Sequence, residues 1–277
     1  FIMKDIHDVK AFWENNPLFV GESSANEGTD AFFKEHTKTY ISDCFSGKFD
    51  EKCFPSDIKN KKVLDLGCGP GFWIEQISKK NPNKIIASDL TSHALELAAK
   101  RCKFLLIDNV EFIQANAEEL PFCDNEFDFI NCQGVIHHTP NTSKAIAEIS
   151  RCLKSGGTFS ISVYYSNIFL RSWPLIRPIG KILNYYGAGL KGRGRENIFA
   201  LKNKDDIVRI YDGINNPIGK SYSKKSIIKL LNNSNLNVKN SFLHFFPARA
   251  FPIKINNNLH NFLDKKFGFM IYLTGEK

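Results

Sequence analysis

From residue 62 onward, short apolar runs alternate with stretches of helical spacing. KVLDL (62–66) is β-branched and apolar, which predicts a strand, and FWIEQISKK after it repeats its apolar positions at helical intervals. KIIASDL predicts a second strand and TSHALELAAKRC a second helix, with Thr91 or Ser92 as its N-cap. VEFIQAN predicts a third strand. FDFINCQGVI predicts a fourth, followed by the helix NTSKAIAEISRCL, the turn SGG and a fifth strand, TFSISVYY. Strands and helices alternating at this pace imply βαβ units with right-handed crossovers. Such units build a parallel sheet covered on both faces, an α/β fold.

The flanks read differently. Residues 1–60 show mixed helical patterning with aromatics at Phe12, Trp13, Phe19, Phe32, Phe33 and Tyr40, which predicts a helical N-terminal extension. After Tyr165 the rhythm breaks. Residues 166–222 are rich in Gly, Pro, Asn, aromatics and Arg and read as one irregular insertion in the sheet. SKKSIIKLLNNSNL then predicts a helix with Ser223 as N-cap, and NVKNSFLHFF and FGFMIYLTGEK predict two closing strands. The expected organisation is an extension (1–60), a core (61–165), a lid-like insertion (166–222) and a C-terminal helix with strands that complete the core (223–277).

Composition narrows the picture. A chain of 277 residues with 43% hydrophobic content can bury a sizeable core, which excludes a disordered polypeptide. No apolar run reaches the roughly 18 residues of a membrane helix. The start, FIMKDIHDVKAFW, lacks the basic stretch and cleavage site of a secretory signal, and it does not open with Met. The seven cysteines are an odd number without a CxxC pair, and Cys68, Cys123 and Cys132 fall in apparent core elements. They read as reduced thiols of a cytoplasmic protein rather than disulfide partners or zinc ligands. Net charge is +8 but divided: residues 1–150 carry 16 Lys and Arg against 23 Asp and Glu, and residues 151–277 carry 21 against 6. The C-terminal part therefore presents a cationic face, suited to an acidic small molecule, an anionic membrane surface or RNA, or else to plain solvation.

The candidate chemistry begins at VLDLGCGPG (63–71). Gly67, Gly69 and Gly71 stand at alternate positions directly after a strand, where an open parallel sheet binds its ligands. Glycine there lets a ligand approach the main chain without meeting a Cβ, and the next helix offers free N–H groups. Phe72 occupies the last small position of the dinucleotide fingerprint G-x-G-x-x-G/A and argues against a pyrophosphate. Asp65 adds a negative charge suited to an ammonium group.

These residues resemble motif I of the class I S-adenosylmethionine (SAM) dependent methyltransferases, of the small-molecule type. IIASDL places Asp89 about 20 residues on, at the family's ribose-binding position. ANAEELPFCDNEFDFINCQGVIHH resembles the stretch from the adenine contact to the strand beside the methionine moiety. ISRCLKSGGTFSISV resembles the next helix, turn and strand, and GFMIYLTGEK the antiparallel last strand. The resemblance implies a Rossmann-like, seven-stranded, mostly parallel sheet, with SAM as cofactor and S-adenosylhomocysteine as product. It implies that the amides from Gly67 through Cys68 and Gly69 to Gly71 line the methionine end, with Asp65 near the amino group. Asp89 would accept from both ribose hydroxyls, Ala117 and Leu90 would pack on the adenine, and the Gln133 carbonyl would face the amino group. Asn116 stands where the family usually has Asp, and keeps both donor and acceptor capacity.

Methyl transfer needs alignment, exclusion of water and, for some acceptors, a base. His137 and His138, at the end of the fourth strand, are the candidate bases, with His138 preferred. Either histidine could instead cap the next helix. Tyr164 and Tyr165 are candidate orienting groups or packing aromatics. Arg171, Arg177, Lys191, Arg193 and Arg195 could form a basic rim around a greasy lid pocket. By resemblance Tyr211, Asn216 and Tyr222 border the acceptor, although Asp212, Asn215 and Asn216 also suit an ordered turn. The expected partner is a small-molecule or lipid-like acceptor, anionic or lipophilic, with peripheral membrane contact through the insertion. An RNA methyltransferase tracking phosphates with the basic half is the second reading, and a SAM-binding subunit without activity the third. No metal is expected, and the oligomeric state is left open.

Overall fold

The computed structural model describes residues 4–186, 195–248 and 255–277, and it gathers the seven predicted strands into one sheet. They are β1 (Lys62–Leu66), β2 (Lys84–Asp89), β3 (Val110–Gln114), β4 (Phe127–Gln133), β5 (Leu153–Tyr164), β6 (Asn237–His244) and β7 (Met270–Glu276), in the order β3-β2-β1-β4-β5-β7-β6. β1 to β5 pair in parallel, and β7 runs antiparallel to both β5 and β6. This is the mostly parallel sheet with one reversed strand that the motifs implied. Strand order reverses between β1 and β4. The SGG stretch read as a turn is the start of β5 instead, with Gly156 at φ +73 and a register irregularity against β4.

Helices α1 (Ile6–Asn15) and α2 (Asp30–Phe45) form the N-terminal extension; α3 (Phe72–Ser78), α4 (Ser92–Leu105) and α5 (Thr142–Cys152) are the crossovers. Alternation along β1 sorts its side chains. Leu64 and Leu66 pack with Ile146 and Ile149 of α5. Val63 faces the other layer, with Trp73 and Ile77 of α3 and Ala98 of α4. Each such buried side chain contributes roughly 1.5–3 kcal/mol, so the two layers rather than helix propensity fix the architecture. Of the cysteines placed in the core, Cys68 and Cys132 are buried, but Cys123 is exposed because it sits in the turn before β4.

The insertion departs from its irregular reading. Where described it is largely helical: α6 (Ile168–Arg171), α7 (Trp173–Tyr185), a 3-10 turn (Arg195–Ala200) and α8 (Lys204–Asp212). Pro174 lies in the first turn of α7, where no N–H is missed. Pro178 lies inside it, and packing holds the helix: the Trp173 ring stacks on Phe199 at 5.5 Å, and a Cβ on Gly180 would meet that same ring at 2.1 Å. After α9 (Lys224–Asn232), capped by Ser223 as predicted, comes β6 and then an unpredicted helix, α10 (Asn257–Phe267). It buries His260 and Asp264 and exposes Leu259 and Phe262, the reverse of the usual pattern, so hydrophobic periodicity does not reveal it. Among the described residues no helix is long and apolar enough to cross a membrane.

Glu14 ties helix α1 to the start of α4. Thr91, the N-cap of α4, makes no side-chain cap bond. Glu14 supplies it instead, accepting from the Ser92 and His93 amides (3.1 and 2.8 Å) and from the Ser92 hydroxyl (2.7 Å). A carboxylate at a helix N-terminus satisfies orphan donors and meets the favourable end of the dipole. Glu14→Ala should therefore lower stability by about 1 kcal/mol and speed proteolysis within residues 5–16. Unchanged cleavage there would separate α1 from this tether.

Candidate active site

The carboxyl ends of β1 to β5 converge under the N-terminal helices on a cavity of about 270 Å³. This is where an open parallel sheet places its ligand. The three glycines of the first loop divide the work. Gly69, at φ +50, has nothing within 4 Å of where a Cβ would stand, so its main chain is bare toward the cavity. Gly67 also lines the cavity, but a Cβ there would strike Val135 at 2.2 Å. Gly71 lies off the cavity and lets α4 approach, its would-be Cβ meeting the Ala98 main chain at 3.3 Å. Cys68 is buried beside the loop without reaching the cavity.

Asp89, at the end of β2, lines the cavity and organises its rim. One oxygen accepts from the Gly69 amide (3.0 Å), the other from the amide and hydroxyl of Thr91 (3.0 and 2.8 Å). Burial raises its pKa, and the bonds from Gly69 and Thr91 oppose that rise. Leu90, Asn116 and Ala117 line the neighbouring wall, and Asn116 holds its own turn by accepting from the Glu118 amide (3.0 Å).

Asp65 does not reach the cavity. It alternates with Leu64 and Leu66, shares the face of Val63, and is buried beneath the helical layer. It acts through a relay: Asn131 donates to Asp65 (2.7 Å), and Gln133 donates to Asn131 (2.9 Å) and to the Ser160 hydroxyl (2.7 Å). Gln133 lines the cavity and keeps a buried side-chain oxygen without a hydrogen-bond partner. Burial pushes the Asp65 carboxyl up to about 7 against the opposing bond from Asn131.

His137 and His138 sit on a 3-10 turn after β4 (Ile136–His138), and both line the cavity. Burial holds His137 well below the usual histidine range, with His138 and Lys220 adding to the effect, so it is neutral. Both ring nitrogens of His138 are engaged. Nδ1 lies 2.7 Å from the Ile218 carbonyl, which can only accept, and Nε2 lies 3.3 Å from an Asp212 carboxylate oxygen. The other Asp212 oxygen accepts from the Tyr164 hydroxyl (2.8 Å). Trp13 of α1 packs edge-on against His138 at 5.1 Å.

The other expected acceptor contacts divide. Tyr164 and Tyr211 line the cavity; Tyr165, Arg171, Arg177, Asn216 and Tyr222 do not. Arg171 lies over the Tyr165 ring and donates to its hydroxyl (3.1 Å), and Arg177 donates to the Phe199 carbonyl (3.2 Å). Asn216 is fully buried and orders its own loop by accepting from the Ile218 amide, while Tyr222 donates to Thr142. These loop residues brace the histidine turn. The Lys220 amide donates to the His137 carbonyl, and its ammonium donates to the carbonyls of Thr139 and Pro140 (2.7 and 2.8 Å). Lys191 and Arg193 lie outside the described residues, as does the Arg195 side chain. Among the described residues no Lys or Arg lines the cavity, whereas Glu22, Asp43 and Asp212 do.

Sequence reasoning passed over several lining residues. Trp13, Tyr40 and Asp43 come from the extension, Asp212 was read as a turn former, and Phe245 follows β6. The one available signal was the density of aromatics before the first strand.

Residues 57–177 match the family model described as a methyltransferase domain. This stretch of the chain is a methyltransferase domain. The ubiquinone/menaquinone biosynthesis C-methyltransferase UbiE of Psychromonas ingrahamii is 32% identical to the chain over 131 residues, 46% of this chain and 49% of that protein. The uncharacterized methyltransferase YcgJ of Bacillus subtilis is 35% identical over 105 residues, 38% of this chain and 41% of that protein. The chain thus spans less than half the length of these curated relatives. A solved SAM-dependent methyltransferase from Methanosarcina mazei shares the fold, with a TM-score of 0.57 at 18% identity, covering 83% of this chain and 98% of that one.

The cofactor of this methyltransferase domain is SAM, and the residues present fit it. The bare main chain at Gly69, the cavity-lining carboxylate of Asp89 and the unsatisfied Gln133 oxygen are what a ligand with an amino-acid tail and a ribose requires. Asp89→Ala should weaken SAM and S-adenosylhomocysteine about a hundredfold by calorimetry, since two bonds to a charged acceptor are lost; an unaltered Kd would remove Asp89 from the ribose site. Asp65 carries a pH signature. Between its ordinary 3.8 and about 7 the unfolded chain has shed a proton that the fold keeps. Stability should fall as pH rises through that window, by up to about 1.4 kcal/mol per pH unit. In Asp65→Asn that slope should vanish from chemical-denaturation curves.

Proposed function

We propose that the protein transfers the methyl group of SAM to a small, mainly apolar acceptor seated among Trp13, Tyr40, Tyr164, Tyr211 and Phe245. When bound, the cofactor supplies a sulfonium-activated methyl group. The protein has to hold donor and acceptor in line, keep water out and take up any proton that is released. Asp89 and the Gly67–Gly69 main chain hold the donor. The aromatic wall and the α1 cover exclude water.

The observation that carries the reading is the Tyr164–Asp212–His138 cluster on the cavity wall. With Nδ1 donating to the Ile218 carbonyl, the lone pair of a neutral His138 lies on Nε2, and that nitrogen stands 3.3 Å from Asp212. Asp212 is then the group that accepts the acceptor's proton, and His138 and Tyr164 hold it in place. This moves the base from the histidine to its partner.

Carboxylates without Lys or Arg among the described lining residues favour a neutral or cationic acceptor over the anionic one expected from net charge. The lipid-like alternative is supported by relatives whose names place them in ubiquinone and menaquinone biosynthesis. Enclosure under the N-terminal helices favours a small molecule over RNA. Free, mostly buried thiols suit a cytoplasmic setting.

The test is incubation of the protein and labelled SAM with fractionated metabolites and total RNA. Label should enter an apolar small-molecule fraction. Asp212→Asn should lower kcat by roughly 10²–10⁴-fold with S-adenosylhomocysteine affinity unchanged. Label in RNA alone would overturn the acceptor class, and full turnover in Asp212→Asn would overturn the base.

A further inference from the structure

Helix α7 is amphipathic in an inverted sense. Its inner side is fixed: Trp173 stacks on Phe199 and donates to the Leu201 carbonyl (2.9 Å), and Gly180 abuts the Phe199 ring. Its outer side carries Leu175, Ile179, Ile182 and Tyr186, spaced by four, three and four residues, all between 59% and 78% exposed. That is one stripe of a helix. Tyr185 and, on α6, Ile168 are exposed beside it. The apolar surface continues onto α10. Phe262, exposed, meets Phe267 at 6.3 Å, and Phe267 meets Phe169 of α6 at 5.5 Å.

The exposed charges that α6, α7 and α10 themselves carry have one sign. No Asp or Glu occurs between Glu148 and Glu196, whereas eight Lys and Arg do. Arg171, Lys181, Lys265 and Lys266 are exposed on α6, α7 and α10, and the one acid of α10, Asp264, is fully buried against His244. An exposed apolar stripe bordered by cations and closed by tyrosines matches the anionic lipid–water interface: the stripe enters the acyl boundary, the cations meet lipid phosphates, and tyrosine suits the headgroup level. A second copy of the chain would bring cation against cation. A nucleic acid would leave the stripe in water.

We propose that the outer face of α6, α7 and α10 docks the protein peripherally on an anionic lipid surface. This goes beyond the proposed reaction and does not depend on it. The same face adjoins the cavity by a short aromatic path: Phe169 contacts Phe246, the neighbour of the cavity-lining Phe245.

The experiment is sedimentation of the full chain with phosphatidylcholine vesicles, with and without phosphatidylglycerol. Binding should be at least about tenfold tighter with phosphatidylglycerol and should weaken as salt rises. Ile179→Asp combined with Ile182→Asp should reduce it at least about tenfold, as should Leu259→Ser with Phe262→Ser to a smaller degree. All four positions are exposed, and unchanged S-adenosylhomocysteine binding checks that each variant folds. Three results would overturn the proposal: no association with anionic vesicles, association undiminished in the Ile179/Ile182 variant, or a concentration-dependent dimer that this variant abolishes, which would assign the face to a second copy.

Discussion

The hydrogen bond from the Gly69 amide to the Asp89 carboxylate is the contact on which the site depends. It joins the loop after β1 to the end of β2, two segments that parallel pairing brings side by side but does not orient. The loop follows a main-chain path in which Gly67, Gly69 and Gly71 all take positive φ; the buried Cys68 side chain and the Gly67 and Cys68 amides on the Ser88 carbonyl hold its base, and the tip at Gly69 has still to be fixed. A half-buried carboxylate accepting from the Gly69 and Thr91 amides does that work. Its oxygens, which line the cavity, are the ones a ribose would meet.

A second buried network supports the floor. Asp65, Asn131, Gln133 and Ser160 run across β1, β4 and β5, the strands between which the sheet order reverses. Burial lifts the Asp65 carboxyl to about 7, so near neutrality it holds its proton about half the time and the interior carries only part of a carboxylate charge. Polar residues at strand positions that would otherwise be aliphatic thereby hold Gln133 in one orientation at the cavity wall.

The sheet was legible because its signals are local. β1 to β5 announce themselves by apolar runs and turns, and the motif spacing carried Asp89, Asn116 and Ala117 to the cavity. What sequence reasoning misplaced depends on tertiary partners. Asp65 falls on the wrong face because strand alternation, not proximity to the glycines, decides where it points. Asn216 faces inward to order its own loop, and Tyr222 donates to Thr142, 80 residues earlier. Helix α10 hides because its polar residues are the buried ones. The cover over the cavity was assigned to the insertion, yet most of it comes from the N-terminal helices, whose aromatics carried no motif.

The tether of α1 couples access to grip. Glu14 caps the very helix whose first turn follows Asp89 and Thr91, and Trp13, one residue away, rests on His138. Lifting α1 would therefore uncap α4 beside Asp89 and unload the cluster of His138, Asp212 and Tyr164 in a single movement. On the roles proposed above for these residues, release of spent cofactor and dismantling of the reactive geometry would be one opening, governed by a helix that belongs to neither motif.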